Sequence, residues 1–148
     1  MTDIALTIAG SDPSGGAGIQ ADLKTFHQHG VYGMAVISLL TVQSTTGVTR
    51  VQTVEPDLLA QQLDQLLIDL VPGAAKTGAL GNASLVEVVA ARAKDFRFPL
   101  VVDPVMISKH GHPLIDASAV HAVKSKLMPV TFLVTPNTVH PEQIVAGL

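Results

Sequence analysis

Hydrophobic and polar positions follow two alternating patterns along the chain. Short, nearly continuous apolar runs, typical of strands buried on both faces, alternate with stretches in which apolar residues recur at helical spacing. The apolar runs predict strands at 4–9, 35–42, 48–54, 74–77, 99–103 and 131–135. The periodic stretches predict helices over 16–29 and 57–70, from Asn82 or Ser84 onward, from Asp116 or Ser118 to 126, and over 141–147. This alternation predicts an α/β fold with right-handed crossovers, in which helices cover both faces of a mostly parallel sheet.

Composition narrows the class of protein. The 148 residues fit a single domain, here 1–148, and the absence of cysteine excludes disulfides, thiol catalysis and thiolate metal sites. The net charge of −3, without a cluster of Lys and Arg, argues against a nucleic-acid partner. Because the chain shows neither a signal-peptide pattern nor an apolar stretch of membrane-spanning length, we expect a cytoplasmic protein with no membrane partner.

The charged fraction suggests that the chain has a partner surface. Only 14% of the residues are charged and 47% are hydrophobic. A self-contained domain is usually closer to a quarter charged. We therefore expect this chain either to bury surface against another chain or to be part of something larger.

A glycine-rich segment, 10–18, follows the first predicted strand and leads into a helix. In parallel sheets ligands bind at the carboxyl ends of the strands, and glycines let the backbone approach a ligand in front of a helix N-terminus. A plain structural turn is the alternative. The dinucleotide fingerprint is rejected, because the turn is too long and no acid stands about 20 residues beyond, and a P-loop would need Gly-Lys-Ser/Thr.

Four polar residues near predicted strand ends are candidates for chemistry. Asp22, one turn inside the first helix, is either a ligand acceptor or a solvated acid favoured by the helix dipole. Gln43, directly after the second strand, is either a turn residue or a carboxamide suited to an aminopyrimidine edge. Asp103 and Asn137 follow buried strands, where they could supply oxygen ligands to Mg²⁺; the alternatives are a turn-capping Asp and an Asx-turn.

Taken together, these residues resemble a known family. The segment 9–26 closely resembles the opening signature of the hydroxymethylpyrimidine/phosphomethylpyrimidine kinases of thiamine synthesis, which are ribokinase-like proteins. Further matching segments follow in the family's order and spacing at 30–33, 40–47, 76–78 and 103–114, so that the resemblance runs from about Ile4 to Asn137. It implies a three-layer αβα sandwich and the transfer of the γ-phosphoryl group of ATP, with Mg²⁺, to the hydroxymethyl group of 4-amino-5-hydroxymethyl-2-methylpyrimidine and then to its phosphate.

The resemblance also implies roles for individual residues. Asp22 and Gln43 would hydrogen-bond the pyrimidine ring and its amino group. The pocket around the pyrimidine would be lined by Gly10, Val105 and Met106. The metal and phosphate side would hold Asp103, Asn137 and Glu142.

The chain departs from the family pattern at three places. The segment 77–80 is less bulky than is usual in the family, which would alter the pocket wall. The superfamily expects a Glu at the position of His140, and this chain offers Glu142 two residues later. The chain also stops at Leu148, before the Gly-Thr-Gly anion hole and the general base of the family, so that no catalytic residue is assigned within it.

These departures leave two hypotheses for function. The first is the kinase of thiamine diphosphate biosynthesis, truncated at its C-terminus, with missing parts supplied by a second chain. The second is a catalytically inactive pyrimidine-binding fragment or interaction module. Because the family forms homo-oligomers, and because a sheet that ends early exposes an unpaired strand, we expect self-association in either case.

Overall fold

The computed structural model describes residues 2–105 and 117–136 of the chain. Its strands are β1 (Ile4–Ser11), β2 (Tyr32–Ser44), β3 (Gly47–Thr53), β4 (Ala74–Thr77), β5 (Leu100–Val102) and β6 (Leu133–Val134). Its α-helices are α1 (Gly18–Gln28), α2 (Pro56–Asp69), α3 (Ala83–Ala93) and α4 (Ala117–Ala122). A π-helical turn, Val123–Leu127, and a 3₁₀ turn, Met128–Val130, continue α4 towards β6. The predicted helix at 141–147 lies outside the described residues.

The strands form one six-stranded sheet in the order β3-β2-β1-β4-β5-β6. β1 lies between β2 and β4 and is parallel to both, and the pairs β4–β5 and β5–β6 are also parallel. Only the hairpin of β2 and β3 is antiparallel among these pairs. The predicted mostly parallel sheet is therefore confirmed, and the carboxyl ends of β1, β4 and β5 meet at one side, which we call the carboxyl edge.

Helices cover both faces of the sheet. The main core lies on one face, where alternate residues of β1 pack with α2 and α3; its fully buried members include Leu6, Ile8, Leu59, Leu63, Leu85 and Val89. On the other face α1 packs so closely against β2 that a Cβ at Gly33 would lie 2.8 Å from a methyl carbon of Leu23 and 3.0 Å from the ring of Phe26. This arrangement confirms the three-layer αβα sandwich.

Local signals account for much of this arrangement. Asn82 rather than Ser84 caps α3, since its side chain accepts a 3.0 Å hydrogen bond from the Leu85 amide. Pro56 is the first residue of α2, a position at which a backbone N–H would have no acceptor within the helix. Among residues 2–105 and 117–136, no helix combines the length and apolarity needed to cross a bilayer.

The structure differs from the predicted pattern mainly around β2. This strand begins at Tyr32 and runs on to Ser44, so that Gln43 lies within it rather than after it, beside an irregularity in the ladder with β3. Gln62, which the periodicity places on the polar side of α2, binds both the amide and the carbonyl of Ile37 at 3.1 Å. Because β3 pairs with β2 only from Leu39 onward, the Gln62 carboxamide supplies the partners that Ile37 would otherwise lack.

Candidate functional site

The glycine-rich loop between β1 and α1 is organised by the carboxylate of Asp12, which is 3% exposed. It accepts hydrogen bonds from the amide and hydroxyl of Ser14, at 2.8 and 2.9 Å, and from the amides of Gly16 and Ala17, at 3.2 and 2.9 Å. Burial acts to raise the pKa of Asp12, but these hydrogen bonds together hold it below its usual 3.8. Asp12 therefore builds the loop, a role that the sequence analysis missed although an Asp followed by Ser and Gly is a common turn signal.

Glycine is required in this loop for close packing. Gly18 has a φ of +57°, and a Cβ there would lie 2.2 Å from the carbonyl oxygen of Gly10. A Cβ at Gly10 would in turn lie 2.5 Å from a methyl carbon of Leu39. The loop is thus folded back onto the end of β1, and the proposed contact of Gly10 with a ligand stays a prediction.

Helix α1 carries Asp22 to the sheet, where both of its carboxylate oxygens are bound. The Thr7 hydroxyl donates to Oδ2 at 2.6 Å, and the Lys76 ammonium lies 2.8 Å from Oδ1. The Asp22 side chain is only 17% exposed. Its interpretation as a solvated first-turn acid is therefore wrong, because the carboxylate faces the sheet.

Lys76 reaches this position from the neighbouring strand. Thr7 of β1 and Lys76 of β4 are register partners, so their side chains lie side by side on the face covered by α1. A Cβ at Gly78 would lie 3.9 Å from the Lys76 Nζ, which shows that the side chain extends towards the carboxyl edge. In the sequence Lys76 is singled out only as part of the segment 76–78 that matches the family, although a lysine inside a short apolar strand is itself a signal.

Asp103 follows β5 at the same edge. Its amide donates to the Thr77 carbonyl at 3.2 Å, which continues the pairing of β4 and β5 by one step. Its carboxylate Oδ1 is buried and has no hydrogen-bond partner within the described part of the chain. Burial raises the pKa of Asp103 above its usual 3.8; the charge of Lys76 opposes this rise and the charge of Asp22 adds to it. Asp22, Lys76 and Asp103 thus interact electrostatically, and we call them the charged cluster.

Among the described residues, Val105 is joined to the charged cluster only through its backbone, and Gln43 makes no hydrogen bond to it. Gln43 is half-buried beside Val48 of β3, and no hydrogen bond within 2–105 or 117–136 uses its carboxamide. Val105 lies in the tight turn after β5, with its amide 2.9 Å from the Asp103 carbonyl oxygen. The other three, Met106, Asn137 and Glu142, lie outside the described residues. Their roles stay predictions.

The two carboxylates of the charged cluster differ in whether they could bind a metal ion. Within 2–105 and 117–136 no group of three or more His, Cys, Asp or Glu side chains could hold a metal ion. Mg²⁺, however, is usually bound through one or two carboxylates, with water and substrate phosphate completing its shell. The unpartnered oxygen of Asp103 fits such a ligand, whereas the two oxygens of Asp22 are already bound by Thr7 and Lys76.

A cavity of about 570 Å³ lies at the opposite end of the sheet. It is lined by residues between Asp64 and Val71, at the end of α2, and between Ala91 and Phe98, at the end of α3 and just after it. Both segments lead into the amino ends of β4 and β5. The cavity is therefore separate from the carboxyl edge, where parallel sheets bind their ligands.

The fold is that of the ribokinase-like kinases. The crystal structure of phosphomethylpyrimidine kinase from Clostridium difficile 630 matches 98% of this chain with a TM-score of 0.90 and 40% identity, over 63% of its own chain. Pyridoxal kinase from Staphylococcus aureus, in complex with AMP-PCP and pyridoxal, matches 99% of the chain with a TM-score of 0.85 and 32% identity, over 52% of its own chain.

Sequence comparison shows which family within this class the chain belongs to. The model of the phosphomethylpyrimidine kinase family matches residues 12–147, and the chain belongs to that family of phosphotransferases. The hydroxymethylpyrimidine/phosphomethylpyrimidine kinase of Synechococcus elongatus is 49% identical over 145 residues, which are 98% of this chain and 55% of that protein. The Escherichia coli enzyme is 49% identical over 134 residues, 90% of this chain and 50% of the relative. The resemblance in the sequence is confirmed, and the chain spans about half the length of these curated relatives.

Proposed function

We propose that this chain forms the pyrimidine-binding part of an ATP-dependent kinase of thiamine diphosphate biosynthesis. The substrate would be 4-amino-5-hydroxymethyl-2-methylpyrimidine, phosphorylated first on its hydroxymethyl group and then on the resulting phosphate. The observation that carries this proposal is the Asp22 carboxylate, held by Thr7 and Lys76 at the carboxyl edge in a member of this family. The names of relatives support it, among them a bifunctional thiamine biosynthesis protein of Geobacter sulfurreducens.

The proposed pyrimidine contacts follow from hydrogen-bonding capacity. A carboxylate offers about four lone-pair positions, so Asp22 keeps acceptor capacity for the amino group of the ring after binding Thr7 and Lys76. Gln43 would supply a donor and an acceptor to the same edge of the ring. Gly10, Val105 and Met106 would line the pocket.

ATP and Mg²⁺ are the proposed cofactors. The Staphylococcus aureus pyridoxal kinase was solved with AMP-PCP, which supports nucleotide use in this fold. Asp103 would provide an oxygen ligand to Mg²⁺, together with Asn137 and Glu142. When bound, the ion would neutralise charge on the phosphates, and the Asp103 carboxylate would help to hold it.

Calorimetry with 4-amino-5-hydroxymethyl-2-methylpyrimidine tests the pyrimidine site. We expect binding that Gln43→Ala weakens by about 1–3 kcal/mol, because the substitution leaves buried polar groups of the ligand unpaired. Gln61→Ala is the matched control, since Gln61 is exposed on α2 and bonds only Asp57 among the described residues. Pyridoxal is added in the same calorimetry as a ligand that competes with the pyrimidine for the site. A folded chain that binds no pyrimidine contradicts the proposal.

Transfer of the γ-phosphoryl group is measured separately, with radiolabelled ATP and Mg²⁺. Phosphorylated pyrimidine formed at about 1 per second or faster would support the kinase activity of this chain. Binding without transfer would instead support the alternative, a pyrimidine-binding module without catalysis.

We also propose that the chain is a homo-oligomer. Phe132 and Leu133 are 77% and 51% exposed, and the outer edge of β6 has no strand partner among the described residues. An unpaired apolar edge favours association with another chain. Light scattering over a dilution series checks this proposal, and a 15.4 kDa monomer at every concentration would contradict it. The expected cytoplasmic location stays a prediction.

A further inference from the structure

The contacts of Asp22 define how its carboxylate can meet a ligand. Oδ2 accepts from the hydroxyl of Thr7, whose side chain is completely buried within the sheet, and Oδ1 accepts from the ammonium of Lys76. These two donors come from neighbouring register positions of β1 and β4, so the sheet itself sets their spacing. The carboxylate is therefore held at both oxygens by a rigid part of the fold.

This arrangement determines the hydrogen-bonding character of Asp22. Lysine has only donors, and the Thr7 hydroxyl donates to the carboxylate, so both oxygens of Asp22 meet the protein as acceptors. The remaining lone pairs of the carboxylate can accept hydrogen bonds from a ligand. Asp22 is thus suited to an N–H group and unsuited to a carbonyl oxygen.

Lys76 is suited to hold Asp22 in this way because its side chain is largely shielded from solvent. Its side chain is 25% exposed, compared with 17% for Asp22. Asp103, at the same edge, also interacts electrostatically with Lys76. Without the ammonium, Oδ1 of Asp22 would lose its donor, and the carboxylate would no longer be held by β4.

We propose that Lys76 and Thr7 are positioning residues that keep Asp22 an acceptor, and that this determines the preference of the site for a 4-aminopyrimidine over the corresponding 4-oxopyrimidine. This inference rests on the proposed function and adds to it the residues that choose between two ligands of nearly identical shape. A site that hydrogen-bonds one group of a ligand discriminates strongly against an analogue that cannot complete the bond.

The test compares two ligands on matched variants. Calorimetry gives the dissociation constants of 4-amino-5-hydroxymethyl-2-methylpyrimidine and of its 4-oxo analogue for the unsubstituted chain, Lys76→Met, Lys76→Arg and Thr7→Val. Lys94→Met is the control for loss of a lysine, since Lys94 is exposed at the end of α3. Thermal unfolding of each variant confirms that it is folded, and Thr7→Val provides a second route if Lys76→Met does not fold.

We expect the unsubstituted chain to prefer the amino ligand by at least about tenfold. Lys76→Met should reduce this preference to about threefold or less, Thr7→Val should reduce it in part, and Lys76→Arg should restore it because the donor and charge return. Lys94→Met should leave the ratio unchanged.

Three outcomes would overturn the inference. If Lys76→Met lowers stability or weakens both ligands equally while the ratio stays the same, Lys76 only links α1 to β4. If Lys76→Arg behaves like Lys76→Met, the ammonium is not acting through charge and donation. If the unsubstituted chain binds neither pyrimidine, the proposed function fails and the inference fails with it, which distinguishes this case from the other two.

Discussion

Two aspartates at the carboxyl edge of the sheet have opposite surroundings. Asp12, just after β1, is 3% exposed and accepts hydrogen bonds from four donors of its own loop. Asp103, just after β5, has a buried oxygen without a partner among the described residues. The pKa of Asp12 lies below its usual value, because its hydrogen bonds outweigh burial, and the pKa of Asp103 lies above it, because burial dominates.

This difference separates a structural carboxylate from one available for binding. A carboxylate whose acceptor positions are all used by the protein stabilises the fold and has little left for a ligand. An unpartnered buried oxygen costs stability, and such groups persist at sites where another molecule or ion supplies the partner. Residue type and position after a strand are the same in both cases, so only the surrounding donors distinguish them.

Gly18→Ala should have the largest effect on the loop that Asp12 organises. We expect a loss of about 3 kcal/mol or more of unfolding free energy, because the added Cβ meets the Gly10 carbonyl oxygen at 2.2 Å and the φ of +57° disfavours alanine. Urea unfolding measures the loss. Gly47→Ala, where nothing lies within 4 Å of an added Cβ, should change stability little; equal effects at the two positions would contradict the packing described.

Asp12→Ala should destabilise the chain by about 2–3 kcal/mol, since it removes the acceptor of three loop amides and of the Ser14 hydroxyl at once. Asp3→Ala, at an exposed aspartate near the start of β1, is the control and should be nearly neutral. Denaturant unfolding at pH 7 compares them. A loss below about 0.5 kcal/mol for Asp12→Ala would show that water replaces the carboxylate without cost.

The pH dependence of stability should have opposite sign at the two aspartates. The folded-state pKa of Asp12 is depressed, so its contribution to stability is fully present above a pH of about 3.8. That contribution is lost as the pH falls through the lower pKa of the folded chain. The folded-state pKa of Asp103 is raised, so the folded chain holds its proton longer, and stability falls as the pH rises from about 3.8 through the higher folded value. Unfolding free energies measured from pH 3 to 8 should therefore show a smaller loss of stability towards acid pH in Asp12→Asn. In Asp103→Asn they should show a smaller loss of stability as the pH rises. Identical profiles for both variants would remove the distinction.

Asp103→Asn should have the smallest effect on the free energy of unfolding, and it should stabilise the chain rather than destabilise it. We expect a gain of roughly 0.5–1 kcal/mol at pH 7, because the substitution removes a charge that burial disfavours. The gain is small because Asp103 is only half-buried. Adding Mg²⁺ should raise the melting temperature of the unsubstituted chain and not that of Asp103→Asn. Asp69→Asn, at an exposed aspartate of α2, is the control. A variant that loses stability and still responds to Mg²⁺ would contradict the binding role of Asp103.

The sequence by itself determined the layered α/β fold. Strand and helix patterns depend on residues within one or two turns of each other, so apolar periodicity and the Asn82 cap could be read directly. The rule that ligands meet the carboxyl ends of parallel strands singled out Asp103, whereas Asp22 was assigned to the same site only through the family resemblance. In the structure the charge of Asp22 acts on Asp103.

The tertiary structure decided which partners these residues have. Lys76 and Asp22 are 54 positions apart, and Gln62 and Ile37 are 25 apart; in both cases sheet order and helix placement bring the pair together. Asp12 became fully bound because its loop folds back over Gly10, whereas Asp103 received no donor from the described elements around it. Hydrogen-bond satisfaction depends on the direction of every neighbouring donor, which local sequence patterns do not encode.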